Sequence, residues 1–234
     1  MRLKKISSTL LFYLLIISFF LAATYWGSAA TTTIAQMIPV ERETTVIIDA
    51  GHGDPDGGAI SCTGKEESSY NLEIANRLND LLHLIGLHTK MIRTTEASVY
   101  TQGETIAAKK VSDLRNRAAL VNETDNALLL SVHQNTFSDS KYSGAQVFYS
   151  PKGSSKQLAE ALQDAFCKTL NPESNRKAKR ASGIYLLEKI EKTGVLIECG
   201  FLSNAEEEAK LRSAEYQKKI SCVIAATVAQ FLTK

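Results

Sequence analysis

The sequence lacks the excess of positive charge that nucleic-acid-binding proteins carry. Three of its 27 basic residues lie in the first five positions, which leaves 24 basic residues against 25 acidic ones in residues 31–234. Binding to nucleic acid requires a dense basic surface that neutralises phosphates, so this function is not expected. The one basic cluster lies in a polar stretch and is predicted to be a solvated loop. It consists of Arg176, Lys177, Lys179 and Arg180.

Cysteine is also scarce, and the sequence contains no CxxC pair that would indicate a zinc knuckle or a redox motif. A chain of 234 residues buries enough apolar surface to fold without disulfides. Cys167 and Cys222 lie in apolar helical patterns and are predicted to be small buried residues. For Cys62 and Cys199 the sequence favours no particular environment, and the redox state of all four cysteines stays open.

Charged residues are absent between Lys5 and Ala30. The basic start MRLKK, the apolar run that follows it and the small residues GSAATTT have the order of a secretory signal, with a candidate cleavage site after Ala30. The apolar stretch 10–26 also approaches the roughly 17 to 20 residues that span a bilayer. Residues 1–30 are therefore predicted to be a signal peptide or an N-terminal membrane anchor. Either would place the rest of the chain outside the cytoplasm, as a secreted or a membrane-anchored protein.

Internal repeats and low-complexity segments are absent, and the remaining chain is predicted to contain a linker and one domain. Residues 31–43 lack a hydrophobic period and form the linker, and residues 44–234 form the domain. Five short runs rich in β-branched and apolar residues predict strands at 44–50, 88–94, 127–134, 144–150 and 194–200. Helical periods lie between them, at 68–86, 113–124, 154–170 and 214–234, the first with a serine as N-cap and Gly86 as its stop. This alternation predicts a single α/β domain with a mostly parallel sheet and helices on both faces.

Polar residues with the capacity to bind a metal follow three of these strands. His52 follows VIIDA, His133 closes ALLLSV, and Glu198 closes VLI, while Glu67 stands at the start of the first helix. Each residue alone has an ordinary structural explanation, such as a hydrogen-bonded histidine or a glutamate in the first turn of a helix. Parallel strands, however, collect their carboxyl ends at one edge of the sheet, where ligands bind.

The combination of residue types at that edge indicates catalytic zinc. Two histidines and one carboxylate with a fourth position open form a typical ligand set, and a further carboxylate serves as the proton shuttle. The other two histidines, His83 and His88, lie in a helix and at the start of a strand and are expected to be structural.

Six motifs in fixed order resemble the zinc-dependent N-acetylmuramoyl-L-alanine amidases, a family that cleaves bacterial peptidoglycan. They are GHGDPDGGA, KEESSYNLEIANRL, DLRNRAALVN, SVHQN, GAQVFY and VLIECGFLSNAEE, and they span roughly residues 44–232. The resemblance implies one zinc ion held by His52, Glu67 and His133, with Glu198 as the catalytic carboxylate. The neighbouring Glu66 is an alternative to Glu67, but the spacing of four residues to Asn71 favours Glu67.

The motifs depart from the family pattern at a few positions, among them Asp54, Gly57 and Gln134, and none of these departures removes a ligand. Asn135, which ends the SVHQN motif, is a candidate for orienting the ligands or the substrate. An asparagine that caps a turn after a strand is an equally good explanation.

The compact domain, the leader and the SVHQN form resemble the amidases of endospore-forming bacteria that act on spore cortex. This resemblance implies removal of the peptide from muramic acid as the first step toward muramic-δ-lactam, in the cell wall or the spore envelope. The intervals between the motifs leave no room for an inserted inhibitory helix, so control by an activator or accessory protein is expected. Two alternatives are another zinc peptidase or carboxypeptidase of the cell wall, which would cut a different bond, and a non-catalytic wall-binding scaffold.

Overall fold

The computed structural model describes residues 44–233 and Ser18. The predicted signal or anchor at 1–30, apart from Ser18, and the linker at 31–43 lie outside the described residues. No helix in the described part of the chain is both long enough and apolar enough to span a bilayer.

Six strands form one sheet in the order β2-β1-β3-β6-β4-β5. Every neighbouring pair is parallel except β4 and β6, so the predicted mostly parallel sheet is confirmed. The strands are β1 Thr45–Ala50, β2 His88–Met91, β3 Ala127–Asn135, β4 Gln146–Tyr149, β5 Lys179–Arg180 and β6 Thr193–Phe201.

The prediction that the basic cluster is a loop was wrong for two of its residues. Lys179 and Arg180 form the edge strand β5, where they pair with Phe148 and Tyr149 of β4. Both residues are exposed and the pairing uses only the backbone, so the strand leaves no hydrophobic pattern in the sequence.

Six helices are described within residues 44–233, and four of them match the predicted ones. They are α1 Glu67–Leu84, α2 Ile106–Glu123, α3 Ser155–Thr169, α4 Tyr185–Lys189, α5 Ala205–Leu211 and α6 Ala214–Leu232. Helix α2 begins seven residues before the predicted start, because Thr105 caps it by accepting a hydrogen bond from the Ala108 amide. The short helices α4 and α5 were not predicted.

The predicted end of α1 agrees with the structure, whereas its predicted N-cap does not. A serine N-cap was wrong: the N-cap is Glu66, whose side chain makes no capping hydrogen bond, and the helix begins at Glu67. The stop at Gly86 is confirmed, since this glycine has a positive φ of 83° and its amide donates to the carbonyl of His83.

Helices cover both faces of the sheet, as predicted. Val46, Ile48 and Ala50 of β1 belong to one hydrophobic cluster with residues of α1, α3 and α6, whereas Ile47 belongs to a second cluster with residues of α2 and α4. The prediction that Cys222 is buried was wrong, because α6 packs through Ile220 and Ile224 and leaves Cys222 exposed.

The order of the central strands decides where polar side chains meet. The neighbouring strands β1, β3 and β6 run parallel, so their carboxyl ends lie at the same edge of the sheet. Their registers place His133 directly opposite Glu198, and the antiparallel strand β4 starts at this edge with Gln146 on the other side of Glu198.

Candidate metal centre and active site

The two histidines and the glutamate predicted as ligands meet at this edge. The candidate ligand atoms of His52, Glu67 and His133 all lie within 4.8 Å of one another. Nε2 of His52 is 3.3 Å from Oε2 of Glu67, and Nδ1 of His133 is 2.9 Å from Oε1 of the same carboxylate. The two imidazole rings stand edge to face, with centroids 5.0 Å apart. The neighbouring Glu66 is exposed and takes no part in the cluster.

The carboxylate of Glu67 is buried and held by several donors. The amides of Ala59 and Gln134 donate to it over 3.0 and 3.2 Å, and the side-chain amide of Asn71 donates over 3.2 Å. Burial alone would favour the protonated form, but the contacts with His133 and His52 keep the pKa of Glu67 well below its usual range. The cluster therefore contains a fixed anionic oxygen between two imidazole nitrogens.

A second carboxylate orients His52. Asp56 accepts a hydrogen bond from Nδ1 of His52 over 3.0 Å, so Nε2 is the nitrogen that faces Glu67. A histidine that binds a metal through one nitrogen commonly donates the other to a carboxylate in this way. Burial lowers the pKa of His52, yet the hydrogen bonds that it donates to Asp56 and Glu67 raise this pKa to about 9. The ammonium of Lys110 lies 3.0 Å from the carboxylate of Asp56, so Asp56 contacts both Lys110 and His52.

Two buried arginines hold the loop that carries His52. Arg117 on α2 donates to the carbonyls of Ala50 over 2.9 Å and of His52 over 2.5 Å. Arg93 donates to the same carbonyl of Ala50 over 2.8 Å and to that of Gly51 over 3.1 Å. His52 has a φ of 61°, a conformation that costs free energy for a residue with a side chain. Because both arginines bind the backbone of this turn, they stabilise the conformation that aims His52 at Glu67.

The charge of Arg117 is balanced by two aspartates. It is paired with Asp49 on β1 and with Asp113 one helical turn away, the latter at 2.7 Å. Ser131 donates to the second oxygen of Asp49 over 2.6 Å. Burial opposes the ionised form of Asp49, but Arg117 lowers its pKa below the usual range. The arginine is thus a buried ion fully enclosed by opposite charges and carbonyls.

Glycines at two positions leave the space in which His52, Glu67 and His133 approach one another. A Cβ at Gly51 would lie 2.1 Å from Nε2 of His133. Gly58 has a φ of 74°, and a Cβ there would lie 2.7 Å from Oε2 of Glu67 and 2.8 Å from Cδ2 of His52. Any other residue at either position would displace the cluster.

Glu198 lies beside the cluster in a cleft of about 330 Å³. His52, His133 and Glu198 line it together with Lys110, Ile184 and Tyr185 from α2 and the start of α4. Oε2 of Glu198 is buried and has no hydrogen-bond partner among the described residues. Burial raises the pKa of Glu198 to about 7, and the charge of Glu67 adds to this effect while the histidines oppose it. A carboxylate with such a pKa exchanges protons readily near neutral pH.

The family model of the N-acetylmuramoyl-L-alanine amidases matches residues 46–230. The chain belongs to this family. It is 37% identical over 192 residues to the germination-specific N-acetylmuramoyl-L-alanine amidase of Bacillus subtilis, a match that covers 81% of this chain and 80% of the relative. The predicted resemblance and the predicted enzyme class are therefore confirmed.

Solved amidase structures have the same fold. The CwlD amidase from Clostridioides difficile, in complex with the GerS lipoprotein, matches with a TM-score of 0.77 and 34% identity over 80% of this chain and 98% of its own. An N-acetylmuramoyl-L-alanine amidase from Clostridium difficile 630 matches with a TM-score of 0.70 and 28% identity over 82% of this chain and 98% of its own.

Three further residues predicted from the sequence lie outside the amidase cleft. Asn135 ends β3 after an irregularity in the register and is not among the residues that line the cleft; its backbone carbonyl accepts a hydrogen bond from Leu202. A role of Asn135 in substrate binding stays a prediction. His83 bonds Thr89 on the surface over 2.5 Å, and His88 is exposed at the start of β2.

Sequence reasoning missed the residues that support the amidase site. Asp56 and Arg117 both lie within motifs that carry the family resemblance, but no role was predicted for them. Asp113 and Arg117 are spaced by four residues on a helix face that also contains Ala118 and Val121, and a charged pair on such a face indicates a buried ion pair. That signal could have identified Arg117, although not the carbonyls that it binds.

Proposed function

We propose that the protein uses one zinc ion to hydrolyse the amide bond between the lactyl group of N-acetylmuramic acid and L-alanine. His52, Glu67 and His133 would hold the ion, and Glu198 would be the catalytic base. The observation that carries this proposal is the convergence of two imidazole nitrogens and one carboxylate within 4.8 Å, next to a buried carboxylate oxygen that has no hydrogen-bond partner within the described part of the chain.

The donor set fits zinc. Two imidazole nitrogens and one carboxylate oxygen form a typical ligand set for catalytic zinc, and here their candidate ligand atoms lie within 4.8 Å of one another. Two neutral imidazoles and one carboxylate would leave the ion with a net positive charge. When bound, zinc supplies Lewis acidity toward the substrate carbonyl and makes water a stronger nucleophile near neutral pH.

Glu198 would move the proton. Ionised Glu198 removes a proton from the attacking water as the water oxygen bonds to the lactyl carbonyl carbon, and it then delivers this proton to the alanine nitrogen as the carbon–nitrogen bond breaks. Its pKa of about 7 suits both steps, because the group accepts and releases a proton within the same cycle. The free Oε2 supports this role, since no described protein donor competes for it.

The cellular role is proposed from the relatives. The Bacillus subtilis relative is germination-specific, and a role in spore cortex is proposed for this chain, with peptide removal as the first step toward muramic-δ-lactam. Residues 1–30 are proposed to export residues 44–234 through a linker at 31–43, as a signal peptide or as an anchor. The catalytic domain would then meet peptidoglycan outside the cytoplasm.

An accessory protein is proposed as well. The CwlD amidase was solved in complex with the GerS lipoprotein, which supports a lipoprotein as the class of partner. Zinc occupancy and turnover should rise when the partner is added to the isolated protein. Equal occupancy and equal turnover with and without it would count against control of this kind.

Mass spectrometry of the products released from purified peptidoglycan tests the reaction. With zinc present, free stem peptides beginning at L-alanine should appear while intact muramic acid stays on the glycan. Glu198→Gln is the control: it should bind zinc normally and lose about 10²- to 10⁴-fold in rate, the usual contribution of a general base. Fragments cut between amino acids would establish a peptidase instead, and zinc-loaded protein without any product would favour the scaffold.

A further inference from the structure

A short strip of aromatic side chains lies on the surface away from the cleft. Phe137 is 54% exposed and Tyr142 is 39% exposed, and their rings meet edge to face with centroids 5.0 Å apart. Tyr142 also stacks on Phe201, which is only 4% exposed, with ring centroids 6.2 Å apart. Phe137, Tyr142 and Phe201 are called the aromatic strip below. Among the large apolar side chains described as exposed, Phe137 and Tyr142 are the only aromatic ones, and they are in contact.

The aromatic strip lies at the same edge of the sheet as the candidate active site. Phe201 ends β6 three residues after Glu198, a distance of roughly 10 Å along a strand. Phe137 follows the end of β3, four residues after His133. When the scissile amide of a long polymer lies at Glu198, neighbouring units of the same polymer are therefore within reach of the aromatic strip.

A polar groove of about 580 Å³ adjoins the strip. It is formed by the segment before β4 and by the segment that follows α3, both of which lie at this edge. Its lining includes Lys141, Tyr142, Ser143, Asn171, Asn175 and Arg176. Hydroxyl, amide and charged groups thus stand next to the exposed rings.

The rings are held in place by contacts with the domain. Glu207 on α5 is buried and accepts hydrogen bonds from the amides of Gly144 over 2.6 Å and of Phe201 over 2.8 Å. Arg176 lies over the ring of Phe201 at 5.3 Å and donates to the carbonyl of Ser143 over 3.2 Å. These contacts fix Phe201 and the backbone that follows Tyr142, which limits the conformational freedom that this part of the surface loses on binding.

We propose that the aromatic strip and its groove bind the glycan strand of peptidoglycan; this inference rests on the proposed function. A sugar ring presents an apolar face of C–H groups that covers an aromatic ring, and its hydroxyl and acetamido groups hydrogen-bond to side chains such as Ser143 and Asn175. Asn171 and Arg176 offer further hydrogen-bond donors to these groups.

The surface chemistry favours a carbohydrate over a protein. The core of a protein interface is a contiguous apolar patch, whereas here two exposed rings stand beside a groove lined mainly by polar groups. Charge does not favour a polyanion either, because Lys141 is paired with Asp139 at 2.8 Å and Glu173 also lines the groove.

Binding of a peptide-free glycan oligosaccharide to the full chain tests the proposal by calorimetry. This probe contains alternating N-acetylglucosamine and N-acetylmuramic acid and has no scissile amide, so binding is measured apart from hydrolysis. Phe137→Ala together with Tyr142→Ala should weaken binding by roughly fivefold or more, because both exposed rings that a sugar would cover are lost. Tyr142→Phe keeps the ring and should bind like the unchanged chain. Leu84→Ala is the matched control, since Leu84 is 81% exposed at the far end of α1.

Kinetics supply a second readout. The double variant should hydrolyse a short soluble muramoyl peptide at the unchanged rate and show a raised KM for long glycan strands only. Equal glycan affinity of the double variant and Leu84→Ala, or no binding of the oligosaccharide by the unchanged chain, would overturn the proposal. Loss of a protein partner with unchanged glycan binding would also overturn it. Failure of the proposed function would look different, since peptidoglycan would then release no stem peptide while the oligosaccharide could still bind.

Discussion

Glu66 and Glu67 are adjacent carboxylates with opposite surroundings. Glu67 is 4% exposed and contacts both histidines, whereas Glu66 is exposed. Successive helical residues point about 100° apart, so only one of the pair can face the sheet edge once α1 begins at Glu67. The spacing to Asn71 favoured Glu67, and in the structure Asn71 lies one turn further on the same face and donates to Glu67.

Removal of a single candidate ligand should remove the metal. In His133→Ala one of three ligands is lost, so the zinc content of the purified protein should fall from one ion per chain to near zero. His83→Ala is the control, because His83 lies on the surface of α1 and its side chain hydrogen-bonds to Thr89 alone among the described residues. Elemental analysis by mass spectrometry measures both proteins. Full zinc content in His133→Ala would contradict the ligand set.

The pKa of Glu198 should set the acid side of the pH profile. Burial raises this pKa to about 7, and the base needs the ionised form, so activity should rise with pH. Below the pKa, kcat/KM should fall about tenfold per pH unit. The positive charge of a bound metal lowers the pKa of Glu198, so the fall in kcat/KM should begin at or below pH 7. Rates measured between pH 4.5 and 8.5 should show this fall for the unchanged chain and not for Glu198→Gln.

At the scale of elements, helix α2 and the turn after β1 act together. Arg117 reaches from α2 to the carbonyls of Ala50 and His52 and is 1% exposed. Asp49, at the end of β1, is paired with the same guanidinium. The turn that aims His52 is therefore stabilised from a helix more than 50 residues later in the chain.

Loss of Arg117 should lower both stability and zinc affinity. Arg117→Ala leaves Asp49 and Asp113 buried without their partner, which should cost about 3 to 5 kcal/mol of unfolding free energy in urea. Arg117→Lys keeps the charge but cannot make all the hydrogen bonds, so it should fold and bind zinc more weakly in competition with a chelator. Arg115→Ala, on the exposed face of the same helix, is the control and should change stability by less than about 0.5 kcal/mol. Unchanged zinc affinity in Arg117→Lys would contradict the positioning role.

At the scale of the whole molecule, both hydrophobic clusters are built from residues between Val46 and Val228. The first fills the face covered by α1, α3 and α6, and the second fills the face covered by α2 and α4. These clusters contain the apolar contacts on which folding of the domain depends.

Removal of residues 1–39 should therefore leave the domain intact. Residues 40–234 should unfold in one cooperative transition, with the melting temperature and zinc affinity of the full chain, because both hydrophobic clusters lie within the described residues 44–233. Differential scanning calorimetry and zinc titration of both proteins measure this. A lower melting temperature or a second transition in the shorter protein would contradict the predicted domain boundary.

Elements with a strong hydrophobic period were predictable, and the short ones were not. The runs at β1, β3 and β6 are apolar at consecutive positions because helices cover both faces of the sheet, so their pattern is clear. Helices α4 and α5 have five and seven residues, and β5 has two. Such lengths contain too few residues for a period of 3.6 or 2 to be recognised.

The sequence by itself determined the strands β1 to β4 and β6, and it placed a polar residue at the end of the apolar run of each central strand, because hydrophobic periodicity is a local property. It also carried the family resemblance, with His52, Glu67, His133 and Glu198 in their motifs. Only the tertiary structure decided that Arg117 holds the turn at His52, that Asp56 orients this histidine, and that Oε2 of Glu198 is buried without a hydrogen-bond partner among the described residues. Positioning and pKa depend on contacts through space between residues far apart in the chain, and a linear pattern does not contain those distances.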